Sequence, residues 1–212
     1  MDGCDIVVVR SCMELEPEWL CLLENLHRKL ILLVGQLPIT VYDDTGNKTA
    51  DMWLWMKEWL DILAKGSVVY VAFGSKAKPT QEELTKIVLE LEQSKVPFFW
   101  VLRTRCGTVD TGLIELPKGF EEWTKGQGVV CTSWAPQLKI LAHDSMGGFL
   151  THSGWSSVVE ALQFERPLVI LTFYADQGIN AKLLEEKHIW YLIRGTNRMV
   201  PLLGTWWLSL WG

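Results

Sequence analysis

From Ser67 to Ile193, short unbroken apolar runs alternate with amphipathic stretches, and this alternation admits few architectures. The runs Val68–Phe73, Phe98–Leu102, Val129–Thr132, Gly148–Thr151, Leu168–Thr172 and Trp190–Ile193 have the composition of strands buried on both faces. Between them, Pro79 and Thr80 open a helix with Glu83 at capping-box spacing. Leu84, Ile87, Val88 and Leu91 then recur at i, i+3, i+4 and i+7, which gives that helix one apolar face. Gln137–Ala142, Ser157–Gln163 and Asn180–Lys187 supply further helices. Such alternation predicts an α/β fold with a doubly wound parallel sheet covered on both faces. Ligands of such sheets bind beyond the carboxyl ends of the strands. Gly74, Ser75, Trp134, His152 and Asp176 all come directly after strands, so they can converge on one cleft.

The first third of the chain is less regular. Ile6–Val9 and Leu30–Val34 read as strands, and a helix starts at Pro17 and runs to about Lys29 with Trp19, Leu22, Leu23 and Leu26 at helical spacing. Pro38–Ala50 is polar and rich in turn residues, so it reads as a linker; Trp55–Leu63 reads as an amphipathic helix. A formal charge of −5 argues against a nucleic-acid partner, which calls for a concentrated basic face. The five cysteines are scattered without C-x-x-C spacing, which fits reduced thiols in the cytosol. No run reaches the ~18 apolar residues of a membrane span, and the N-terminus lacks a signal-peptide pattern. A cytoplasmic protein is expected. Residues 194–212 break the pattern: Trp206, Trp207 and Trp211 fit no helical or strand period, and Pro201 and Gly204 interrupt any helix.

The stretch from Trp134 to Gln177 concentrates the chemistry. A strand runs through Thr151 into His152-Ser153-Gly154, and a helix comes next. A small-residue turn at a helix N-terminus presents free N–H groups and the positive end of the helix dipole to an anion. His152 and the hydroxyls of Ser153, Ser156 and Ser157 add donors; Gly154 lets backbone approach the anion closely. Trp134 can stack on a flat base. Glu160 can accept from ribose hydroxyls, and Asp176 and Gln177 can grip a sugar. Trp155 reads as packing plus a backbone N–H. The set has the chemistry of a nucleotide-sugar site.

The same 44 residues resemble the donor-binding signature of plant family 1 UDP-glycosyltransferases, and Ile6–Ile193 resembles the branch that holds flavonoid and saponin rhamnosyl- and glucosyltransferases. The resemblance implies a GT-B fold, two Rossmann-like domains, of which this chain carries the C-terminal half, incomplete. It divides the chain into the end of an acceptor domain (1–37), a linker and helix (38–65), a UDP-sugar donor-binding domain (66–193) and a divergent tail (194–212). It implies uracil stacking on Trp134, base-edge contacts from the backbone of Ala135, ribose contacts near Gln137 and Glu160, and phosphate contacts at Gly74, Ser75, His152, Gly154, Trp155, Ser156 and Ser157. Asp176 and Gln177 match the pair that holds the sugar. Position 156 often carries asparagine in the family, and Ser156 has a shorter reach. UDP-sugar is implied as co-substrate, with no cofactor and no metal. The acceptor implied is a small molecule such as a flavonoid or triterpene glycoside.

The family's general base is a histidine near the start of the acceptor domain, steadied by an aspartate. None of the four histidines here matches that motif, so no catalytic residue is assigned. Inverting transfer of glucose or rhamnose to a hydroxyl is therefore the implied activity of the family. A chain that only binds UDP-sugar is the alternative. A remote second alternative is a serine hydrolase, since Gly154-Trp155-Ser156-Ser157-Val158 nearly spells a nucleophile elbow, with Asp176 and His188 next in hydrolase order. The closing glycine of that motif is absent, and His188 lies only twelve residues beyond Asp176.

Overall fold

A computed structural model describes residues 4–37, 47–74, 79–102, 116–173 and 176–192. Contacts divide the chain into two compact units, Met1–Thr40 and Val41–Gly212. In the first unit, β1 (Ile6–Val9) pairs in parallel with β2 (Leu30–Leu33), and α1 (Pro17–His27) connects them. Pro17 stands at the start of α1, where its missing N–H removes no helix bond, and Arg28 ends the helix in a left-handed conformation.

The second unit holds a six-stranded sheet with every described pairing parallel. Its strands are β3 (Val68–Ala72), β4 (Phe98–Val101), β5 (Gly128–Cys131), β6 (Met146–Thr151), β7 (Leu168–Ile170) and β8 (Trp190–Leu192). They lie in the order β5-β4-β3-β6-β7-β8. Counted within this unit, that is 3-2-1-4-5-6, the doubly wound dinucleotide-fold order. Side chains alternate across β3: Val68, Tyr70 and Ala72 enter one core, and Val69, Val71 and Phe73 the other. The first core is closed by α2 (Asn47–Asp61), α5 (Gln137–Ala142), α6 (Trp155–Gln163) and α7 (Gln177–Glu186). The second is closed by α3 (Gln81–Ser94) and by Phe120 of α4 (Phe120–Trp123).

α3 shows how sequence becomes structure here. The Thr80 hydroxyl accepts from the Glu83 N–H at 3.2 Å, and the Glu83 carboxylate accepts from the Thr80 N–H at 2.7 Å, completing the capping box. The Leu84, Ile87, Val88 and Leu91 stripe is buried. At about 1.5–3 kcal/mol per buried side chain, that stripe supplies roughly 6–12 kcal/mol against the ordering of the helix. Gln127 then closes the other end, its Nε2 donating to the Leu91 carbonyl at 2.8 Å.

Three helix starts differ from the sequence reading. α2 begins at Asn47, inside the stretch read as linker; Lys48 and Ala50 favour helix, but the polarity of this first turn imitates a loop. α6 begins at Trp155 and α7 at Gln177, because the small and polar residues of a first helical turn look like a turn in sequence. α4 is too short to show a period, so nothing in the sequence marks it. Ser75 and the tail at 194–212 lie outside the described residues.

Candidate functional site

The strand order reverses between β3 and β6, and a doubly wound sheet opens a crevice at that point. Ala72 and Thr151 are register partners there, so the residues just beyond the two strand ends are brought together. Gly74 lies just past β3 with φ +71°, a conformation that disfavours any side chain. His152 comes directly after β6, and Gly154 caps α6. The His152 ring rests against both glycines. A Cβ on Gly154 would stand 2.5 Å from its Nε2, and one on Gly74 would stand 2.9 Å from its Cε1. Among the described residues no side chain caps α6, and the positive end of its dipole lies at this place. Burial pushes the His152 imidazole below its usual pKa, and the Asp176 carboxylate opposes that shift in part. The ring is therefore neutral at pH 7, with one N–H to give.

The turn holding His152 is fixed from α7. Ser153 takes a left-handed conformation at φ 62°, which costs about 1–2 kcal/mol for a residue other than glycine. Its fully buried hydroxyl donates to the Gln177 carbonyl at 2.8 Å, and its own carbonyl accepts from Asn180 Nδ2 at 3.0 Å. The Ser153 hydroxyl is thus a strut inside the protein, and the sequence reading that makes it an anion donor is corrected. Gln177 is buried, with its Oε1 accepting from the Phe173 N–H at 2.8 Å, whereas Asp176 is exposed. In sequence Asn180 is only part of a helix, and no periodicity signals its tie to a turn 27 residues earlier.

A second group lies along α5 and α6. Gln137 Nε2 donates to Glu160 Oε2 at 2.6 Å and lies 3.5 Å from Ser157 Oγ. The Tyr70 hydroxyl donates to Gln137 Oε1 at 3.2 Å. Ser156 is exposed, and Ser157 and Glu160 are half-buried on the same helix. Ala135 is buried in the first core, Trp155 packs against that core, and between strand and helix Trp134 stays 46% exposed. An indole body so placed offers an apolar face to a flat ligand. The structure therefore groups Gly74, His152 and Gly154, and separately Gln137, Ser157 and Glu160, with α6 running through both groups.

One histidine–aspartate pair is present away from this place. His143 Nε2 lies 3.1 Å from Asp61 Oδ1, and His143 Nδ1 accepts from the Ser145 N–H at 3.2 Å. That acceptor role puts the ring proton on Nε2, pointing at Asp61, so both nitrogens are engaged. The pair lies before β6 and His152 after it, and a six-residue strand spans roughly 20 Å. Arg166 braces the same end, donating from its guanidinium to the carbonyls of Leu141 at 2.7 Å, Met146 at 2.9 Å and His143 at 3.1 Å. Among the described residues no group of three or more His, Cys, Asp or Glu side chains has metal-binding geometry, and no helix is long and apolar enough to cross a membrane.

Comparison with known proteins agrees with this architecture. The family described as UDP-glucoronosyl and UDP-glucosyl transferase matches residues 33–194. UDP-glycosyltransferase 91A1 of Arabidopsis thaliana is 52% identical over 193 residues, which are 91% of this chain and 41% of that protein. Soyasaponin III rhamnosyltransferase of Glycine max is 41% identical over 88% of this chain and 39% of that protein. The chain thus spans about two fifths of the length of these relatives. Among solved structures, Phytolacca americana UGT2 complexed with UDP-2-fluoro-glucose and pterostilbene superimposes with a TM-score of 0.75 at 30% identity, over 95% of this chain and 43% of that one. TcCGT1 in complex with UDP gives a TM-score of 0.76 at 30% identity, over 93% and 45%. The fold is that of part of the GT-B glycosyltransferases, under half of each, and with a family match across most of its length the chain belongs to the UDP-glucuronosyl and UDP-glucosyl transferase family.

Proposed function

We propose that this chain supplies the donor site of an inverting UDP-glycosyltransferase, which moves glucose or rhamnose from a UDP-sugar to a hydroxyl of a small molecule such as a flavonoid or triterpene glycoside. The observation that carries the reading is the His152 ring seated against Gly74 and Gly154 beside the uncapped start of α6. This arrangement offers an imidazole N–H and helix N–H groups to a diphosphate. Gln137 and Glu160, the latter on the same helix α6, suit a ribose, and exposed Trp134 suits a uracil face. The relatives support donor and acceptor classes: one is a soyasaponin III rhamnosyltransferase, and a solved relative holds UDP-2-fluoro-glucose and pterostilbene.

In this reading the acceptor oxygen attacks the anomeric carbon, the bond to the diphosphate breaks, and UDP leaves. His152 and the α6 N–H groups stabilise charge developing on the leaving diphosphate, an electrostatic role. The exposed Asp176 orients the sugar. Gln177, being buried with its Oε1 on the Phe173 N–H, acts on the sugar only indirectly. No divalent metal is required, because charge on the diphosphate is met by N–H donors.

The base that takes the acceptor proton is not among the described residues. The one histidine–aspartate pair at hydrogen-bond distance there, His143 and Asp61, has both ring nitrogens engaged and lies at the opposite end of β6 from His152. That observation favours a second reading for the chain by itself, donor binding without transfer. A UDP-release assay with a flavonoid glycoside acceptor tests both. The chain alone should be slower than a full-length relative by at least the ~10²–10⁴-fold of a lost general base. Activity should rise when the N-terminal domain of a relative is added, and EDTA should leave it unchanged. Full activity from the chain alone would contradict the assignment of the base elsewhere.

A further inference from the structure

We infer that Tyr70 is a positioning residue for nucleotide discrimination: its hydroxyl anchors the Gln137 amide, and through it the Glu160 carboxylate, in the arrangement that reads ribose hydroxyls. The inference rests on the donor-site reading above and extends it to a residue beneath the site. The polarity of the relay comes from its chemistry. An ionised carboxylate only accepts, so at 2.6 Å Gln137 must present its NH₂ to Glu160. Its Oε1 therefore faces Tyr70, whose hydroxyl must donate at 3.2 Å. A flipped amide would set two acceptors against each other at the short contact.

Rigidity gives the relay its direction. Tyr70 lies in β3 at 1% exposure, with its ring 4.9 Å from that of Phe149 and 6.5 Å from that of Phe99, centroid to centroid. The hydroxyl is thus a fixed point in the sheet. Gln137 and Glu160 are half-buried and borne by two different helices, so their mutual orientation needs such a point.

The test compares UDP with 2′,3′-dideoxy-UDP by calorimetry on the full chain. The wild type should prefer UDP. Tyr70→Phe should shrink that preference by about threefold to tenfold, the worth of one neutral hydrogen bond, while affinity for the dideoxy nucleotide changes little. In a Gln137→Ala background the same substitution should have no further effect on the ratio. Because a merely structural role would weaken both nucleotides alike, an unchanged ratio in Tyr70→Phe overturns the inference even if the melting temperature falls. An undiminished effect without Gln137 overturns the relay. A wild type that binds both nucleotides equally overturns the ribose role of Glu160, and one that binds neither overturns the donor site itself.

Discussion

His152 Nε2 lies 2.5 Å from the point where a Cβ on Gly154 would stand, so the ring sits where it does because position 154 has no side chain. Gly154 has φ −59°, which any residue adopts without strain. Gly154→Ala is therefore expected to displace the ring and weaken UDP affinity about tenfold or more, as loss of a hydrogen bond to a charged group does, with little change in thermal stability. Gly74→Ala adds a left-handed backbone at φ +71°, so it should also lower stability by about 1–2 kcal/mol. Paired melting curves and nucleotide titrations check the contrast; equal stability losses in the two variants would contradict it.

Trp134 keeps 46% of its surface exposed although it sits between a core strand and a core helix. If that face stacks on uracil, Trp134→Ala costs about 1–3 kcal/mol of UDP affinity and Trp134→Phe much less. Calorimetry on both variants decides, and unchanged binding in Trp134→Ala would remove the stacking role.

The lowered pKa of His152 makes an acid-side prediction. Burial holds the folded value below the ~6.5 of an unfolded chain. Between the two values the unfolded state binds more protons, so stability rises with pH across that window. This stability is fully present above pH ~6.5 and is lost as pH falls through the folded value. Urea unfolding from about pH 8 to 5 should show wild type losing more stability than His152→Gln. Identical acid slopes would contradict the burial account. A bound diphosphate should favour the protonated ring, so UDP-glucose binding near pH 6 should take up a proton in wild type and not in the variant. UDP-glucose is chosen because a terminal phosphate would itself titrate near pH ~6.

The sheet was legible in sequence because its strands are buried on both faces, which leaves unbroken apolar runs such as Val68–Ala72 and Phe98–Val101. Their order was not, since pairing between β3 and β6 joins segments that local pattern leaves unrelated. The site was legible as residue types at strand ends; its internal wiring was not. Ser153 looks like a free hydroxyl until α7 is seen to take it, and Tyr70 looks like any core aromatic until its hydroxyl is found on Gln137. Polar contacts across 24 and 67 residues have no periodicity to betray them.

A direct titration of the full 212-residue chain with UDP tests whether these residues together form a UDP-binding site. Circular dichroism would first establish cooperative folding. The expected result is saturable one-site binding that Trp134→Ala and His152→Ala each weaken, unaffected by EDTA. A cooperatively folded chain that shows no saturable binding of UDP, or binds it equally well without Trp134 and His152, would contradict the account.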